Sequence, residues 1–374
     1  MSNVRKYHIV IGSKAYFESH LKDLEDVDYQ SFLELVRIFD LYKQNKISFD
    51  DYRTNLLVLK NDNYHGIVES AHDRLGALIE DLTEEDAEIF IHNPPRVLLE
   101  YLINQREQNT IELLITEQKY SIKRQPEKFK ENMVMISEHI FGQRFAIDEI
   151  SKSLWYLTTV ERKKPYVIML YGNSSLGKTE LVREISQSFF EGKFLEKHLS
   201  MFKNNNYSDY FFGDSPNRRS IGYDLLERES NLIFFDEIDK CPEYFFSAFY
   251  TLFDNIIFKD SNYDVNVSGA VIVLTSNYHS EDEIKKYLGM PIFFRIDKFI
   301  HFDDFNTKTI HEIVISEIQS RESEFKDKFT KDQIYAKVSP KIMATGENAR
   351  TIKYKVQQVI EDLLFEEITE LEKK

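Results

Sequence analysis

An α/β fold is predicted for the centre of this 374-residue chain: a parallel sheet flanked by helices, with a small helical domain after it and a mostly helical domain before it. Three observations predict it. Apolar runs rich in Val, Ile and Phe alternate with helical stretches from about residue 131 onward. The first of these runs, Tyr166–Tyr171, leads through Gly172 to Gly177, Lys178 and Thr179, which is G-x-x-x-x-G-K-T between a predicted strand and a predicted helix. Beyond residue 303 the spacing is helical again, and Val356, Val359, Ile360, Leu363 and Leu364 make one apolar stripe.

The elements follow in order. Residues 1–125 form one compositional unit, read as a partner- or substrate-recognition domain. Tyr7–Ile11 reads as a short strand. Phe32, Leu35, Val36 and Phe39 recur at helical spacing, as do Val97, Leu98, Tyr101 and Leu102. Thr83 with Asp86 reads as a helix start, and Asn93-Pro94-Pro95 as a break. Asp40–Asp51 has the length of a calcium-binding EF-hand loop, but it lacks the acidic third and fifth residues and the glycine at the sixth, so no calcium site is expected. Ser121–Lys130, charged and containing Pro126, is the linker candidate. Residues 126–303 then hold the sheet, with strands expected at Tyr166–Tyr171, Leu232–Asp236, Ala270–Ser276 and Lys298–Phe302, and residues 304–374 the small helical domain.

Composition narrows the function. The net charge of −15 gives no generic basic surface for nucleic acid. One cysteine, Cys241, excludes an internal disulfide and fits a reducing compartment. The N-terminus has no apolar core of a secretory signal, and no apolar run approaches the roughly 20 residues that span a bilayer. A cytoplasmic protein with no membrane contact is expected.

The glycine-rich loop carries the first chemistry. Gly172 and Gly177 let the backbone approach an anion. The candidate phosphate site is Gly172, Asn173, Ser174, Ser175, Leu176, Gly177, Lys178, Thr179 and Glu180, where loop N–H groups and a helix N-terminus face the phosphates of a nucleotide triphosphate. Lys178 supplies charge, and the Thr179 hydroxyl is placed to ligate Mg²⁺. The run Leu232–Phe235 is a buried strand from whose C-terminal end Asp236 and Glu237 emerge, the edge at which ligands bind in parallel sheets. Asp236 can hold Mg²⁺, directly or through water, and Glu237 can orient and activate the attacking water.

In this order the motifs resemble those of the AAA+ ATPases, most closely the Clp-type unfoldase modules. His139–Ile150, with Phe141 and Gly142, is similar to the family's entry motif, which lines the adenine pocket. Leu274–Asn277 resembles the strand whose last polar residue, here Asn277, senses the γ-phosphate. Pro291–Asp297 is similar to the arginine-finger segment, with Arg295 in the finger position, and Gly346–Arg350 to the second sensor, with Arg350. The resemblance covers residues 143–374. It implies ATP sites completed between subunits of a homo-oligomeric ring or spiral, often a hexamer, and hydrolysis that depends on assembly.

One segment departs from the family pattern. Clp-type modules grip peptide with an aromatic loop facing a central pore. The corresponding segment here, Phe212–Tyr223, keeps Gly222 and Tyr223 but places Ser220 and Ile221 at the gripping positions and adds Arg218 and Arg219. Arg218, Arg219, Ile221 and Tyr223 are thus the candidate pore-loop residues, and solvated loop charge is the plain alternative for the two arginines. The principal reading is an ATP-driven motor that remodels a protein partner held by residues 1–125. The alternatives are a nucleotide-gated assembly that recruits or regulates a separate effector, as in a prokaryotic defence or mobile-element system, and a nucleic-acid motor or loader, which the acidic charge disfavours.

Overall fold

The computed structural model describes residues 4–24, 29–44, 53–121, 124–202, 207–214, 216–343 and 345–371. Most of the EF-hand-like stretch, residues 45–51, lies outside them, as do residues 122–123 of the expected linker.

The first unit corrects an expectation. Residues 1–125 are not mostly helical: they contain a five-stranded sheet, all of it parallel. Its strands are β1 (Lys6–Ile11), β2 (Gln30–Ser31), β3 (Thr54–Leu59), β4 (Thr83–His92) and β5 (Glu112–Glu117), in the spatial order β2-β3-β4-β1-β5. Alternation decides the outcome in β4, where Ala87, Ile89 and Ile91 repeat every second residue and are all fully buried. Thr83 therefore opens a strand. Its hydroxyl donates back to the Ile79 carbonyl (2.8 Å) and closes the helix Leu75–Leu82. Tyr7 pairs with Ile89, and Ile9 with Ile91, so one face packs on the helices Phe32–Lys43, Leu75–Leu82 and Arg96–Glu107. The other face puts Val10 and Val58 against Phe17 and Leu21.

The second sheet comprises β6 (Tyr166–Tyr171), β7 (Leu195–His198), β8 (Leu232–Asp236), β11 (Val271–Thr275) and β12 (Lys298–His301), parallel throughout in the order β12-β6-β11-β8-β7. An antiparallel ribbon, β9 (Ile257–Lys259) and β10 (Asp264–Asn266), lies apart from it. Both faces are covered, which is why the central strands read as unbroken apolar runs rather than alternating ones. Ile168, Leu170, Phe234 and Val273 face the helices Pro126–His139, Arg144–Thr159 and Lys178–Phe189. Val167, Met169, Phe235 and Ile272 face Phe246–Asp254 and Glu281–Phe293. Each such fully buried side chain contributes about 2 kcal/mol, so β6, β8 and β11 form the rigid middle from which the site residues project. Pro126 is the first residue of its helix, where its missing N–H is harmless, so the helix begins inside the expected linker.

The helices Thr307–Ser320, Lys331–Val338 and Ala349–Leu371 form the C-terminal layer. Ile313, Ile334, Ile352, Val356 and Val359 join the same core as the sheet face beneath them. Among the described residues, no helix is long and apolar enough to cross a membrane.

Candidate nucleotide site

The strand–loop–helix junction is built as its sequence requires. Gly172 has φ +133°, and a Cβ there would stand 2.5 Å from the Phe302 carbonyl oxygen. Gly177 has φ +98° and opens the helix Lys178–Phe189, while Ser175 takes φ +60°. The loop thus keeps its backbone exposed to a ligand. The Lys178 ammonium folds back over it, donating to the carbonyls of Gly172 (2.7 Å) and Asn173 (2.6 Å), with Asn277 Oδ1 at 3.5 Å. Burial lowers its pKa to about 8, against the opposing pull of Asp239 and Asp236. Carbonyl dipoles are weak partners for a buried ammonium, and a phosphate would serve it better.

Asp236 ends β8, and three side chains from three other elements converge on it. Thr179 Oγ1 donates to Oδ1 at 3.4 Å, Thr275 at the end of β11 donates to the same oxygen, and His198 Nδ1 at the end of β7 lies 3.3 Å from Oδ2. Neither Thr275 nor His198 was singled out in the sequence. The signal that could have found them is their place at the C-terminal ends of strands flanking β8, legible only once strand order is known. Glu237 follows with φ +59°, a strained value for a residue with a side chain, and its N–H donates to Thr275 Oγ1 (3.0 Å). Asn277 contacts Asp239 through its backbone N–H (3.4 Å) and its carboxamide (3.5 Å).

A cavity of about 680 Å³ joins these parts. It is lined by Phe141, by the loop and helix start from Ser174 to Glu180, by Asp236, Glu237 and Asn277, and by Arg350 from the C-terminal layer. Gly172 and Asn173 are tied in through Lys178. Gly142 stands beside the cavity with φ +71°, packed so closely on Thr309 that a Cβ would lie 2.5 Å from its methyl. Gln143 fixes this entry segment to the end of β12: its carboxamide donates to Asp303 O (2.9 Å) and accepts from Asp303 N (3.2 Å). Arg350 is placed by a direct bond between layers, Ala349 N donating to Ser175 O at 3.1 Å.

Arg295 is not among the cavity-lining residues. It stands at the end of the helix Glu281–Phe293, donates to Pro291 O (2.7 Å), lies 3.6 Å from Asp254 and stacks 5.2 Å from the Tyr250 ring. The candidate pore residues also lie elsewhere. Ile221 and Tyr223 are only 1% and 3% exposed, in the short helix Ile221–Leu226, so they are not side chains of an open loop. Apolar burial of Ile221 and a hydrogen bond from the Tyr223 hydroxyl to Asp62 (2.5 Å) account for this. Arg218 pairs with Asp209 (2.6 Å) and Arg219 with Asp62 (3.0 Å), both on the exposed side. Cys241 is buried and its thiol pushed up to about 12, which suits packing rather than nucleophilic chemistry.

Residues 163–342 match the family profile of the AAA domain (Cdc48 subfamily). The chain carries an AAA domain. The match begins just before β6 and ends in the C-terminal helical layer, so the AAA domain takes in the phosphate loop, Asp236, Glu237, Asn277 and Arg295. The chain is also similar to the chaperone protein ClpB of Chlamydia caviae, 24% identical over 270 residues that cover 61% of this chain and 31% of that one. It is similar to the mitochondrial disaggregase of Homo sapiens, 26% identical over 206 residues that cover 49% and 28% of the two chains. The chain therefore spans about a third of the length of these relatives, or less.

Proposed function

We propose that the AAA domain of this chain binds and hydrolyses ATP in an assembly of its own copies, and that the assembly remodels a protein partner. The observation that carries the reading is the single cavity shared by Lys178, Asp236, Glu237, Asn277 and Arg350, three of them at the ends of parallel strands. Lys178 and the loop N–H groups bind the triphosphate. Phe141 and the entry segment offer an apolar wall to the base. Asn277, beside Lys178, orients the terminal phosphate, and Arg350 brings the C-terminal layer onto it. Glu237 holds the attacking water and receives its proton.

The residues present fit Mg²⁺. A hydroxyl and a carboxylate, Thr179 and Asp236, share one oxygen contact at 3.4 Å, and such a pair with phosphate oxygens is how this ion is commonly held. When bound it neutralises phosphate charge. Thr275 and His198 fix the carboxylate that would hold it.

Replacing Glu237 tests the reading. Glu237→Gln keeps the shape of the site and removes the proton acceptor, so turnover should fall by about a hundredfold or more with ATP affinity retained. Normal hydrolysis in this variant, measured by phosphate release, would remove Glu237 from the chemistry.

A second reading has its own support. The segment that would grip peptide is partly buried, and its tyrosine is bonded to the first unit. That favours a nucleotide-gated assembly in which ATP switches access to an effector. Affinity purification of Glu237→Gln with ATP separates the two: an unfolded or varied client set supports remodelling, and one stoichiometric effector supports the switch. A nucleic-acid motor has less support, because Arg218 and Arg219 both pair with carboxylates of this chain.

A further inference from the structure

We propose that the first unit is a releasable clamp on the candidate pore segment, with Asp62 and Glu227 as its two latches. This rests on the reading that residues 212–223 correspond to the partner-gripping segment of the AAA domain. The clamp uses the C-terminal edge of the first parallel sheet, the edge at which such sheets receive ligands. What it receives is a side chain of the AAA domain. Glu227, just past the helix Ile221–Leu226, accepts from Asn61 Nδ2 (2.6 Å), Asn93 Nδ2 (3.2 Å) and the backbone N–H of Lys14 (3.0 Å). Asn61 and Asn93 are 2% and 1% exposed and stand two residues after β3 and one after β4. Both amides are neutral, and the buried His92 ring lies 3.7 Å from the same oxygen, with burial lowering its pKa against the pull of Glu227.

Asp62, next to Asn61, forms the second latch. It takes the Tyr223 hydroxyl and the Arg219 guanidinium, and that guanidinium also lies over the Tyr223 ring at 5.0 Å. A third contact braces the same helix from behind. Arg96 binds Asp264 and the backbone carbonyls of Asp260 and Tyr263, and Asp260 in turn accepts from Ser220 Oγ (2.6 Å) and Gly222 N (3.2 Å). The helix Ile221–Leu226 is therefore fastened to the first unit on both sides, at Arg219 and Tyr223 and again at Glu227. The fastenings are polar, the kind of contact that lets two units part and rejoin. While the clamp is closed, Tyr223 is hidden, and any partner that engages it must first open the clamp.

Hydrogen–deuterium exchange of the full chain, without nucleotide, tests this in peptides covering residues 216–226. Asp62 is 60% exposed, so Asp62→Arg disturbs no core. Asp62→Arg should raise exchange in these peptides several-fold, and Glu227→Ala should do the same through the other latch. The charge swap Asp62→Arg with Arg219→Asp should restore most of the protection. Exchange unchanged in both single variants would overturn the clamp, as would an increase that the swap leaves in place. The measurement needs no hydrolysis. A chain that showed this pattern yet failed to turn over ATP would retire the ATPase reading and leave the clamp standing.

Discussion

Lys178 carries the clearest consequence of burial at the scale of one residue. With its pKa lowered to about 8, the ammonium keeps its proton below that pH and loses it above. A triphosphate binds the charged form, so above pH 8 binding must take up a proton. ATP affinity should hold steady up to pH 8 and then weaken, by up to about tenfold per pH unit. Lys178→Arg stays charged throughout and should flatten the profile, even where its overall affinity is lower. Equal pH slopes in both proteins, measured by equilibrium binding, would detach the effect from Lys178. The residues around it were readable from G-x-x-x-x-G-K-T because the motif is local. Thr275 and His198 were not. They reach Asp236 from β11 and β7, which neighbour β8 in space but lie about 40 residues away on either side in sequence.

Among the elements, the loop after β6 shows how packing and function share a residue. Gly172 pairs a left-handed φ with a carbonyl 2.5 Å from where a Cβ would be. Gly172→Ala must push the loop away from the end of β12, and should lower the unfolding free energy by about 2 kcal/mol. Denaturant melts would show this as an earlier midpoint with an unchanged slope, and an unshifted midpoint would mean that β12 yields freely. The same scale explains the misread first unit. The helices Phe32–Lys43 and Arg96–Glu107 have apolar residues at plain helical spacing and were legible. β4 exposes Glu84, Glu85, Asp86 and Glu88 near its start, so its alternation looked like the acidic first turn of a helix. β5, at the sheet edge, buries little of either face. Strands with so much polar surface declare themselves only through the neighbours they pair with.

For the whole molecule, Arg295 offers a test of the proposed assembly of copies. It stands outside the cavity that holds Glu237, yet its segment lies within the AAA match and its guanidinium is held ready by Pro291 O and Asp254. In the proposed assembly such a cation would serve a phosphate on another copy, where it would neutralise charge that develops in transfer. Each complete site would then draw Glu237 from one subunit and Arg295 from the next. Glu237→Gln and Arg295→Ala should each depress turnover alone, the second by about a thousandfold with ATP binding kept. Mixed in equal amounts, they form some junctions that unite the intact Glu237 of one protein with the intact Arg295 of the other. Turnover in the mixture should therefore exceed the sum of the two proteins measured apart, and should rise with total concentration as subunits associate. If the mixture gives only that sum, while the assembly is seen by light scattering, Arg295 does not complete a neighbour's site and the trans arrangement fails.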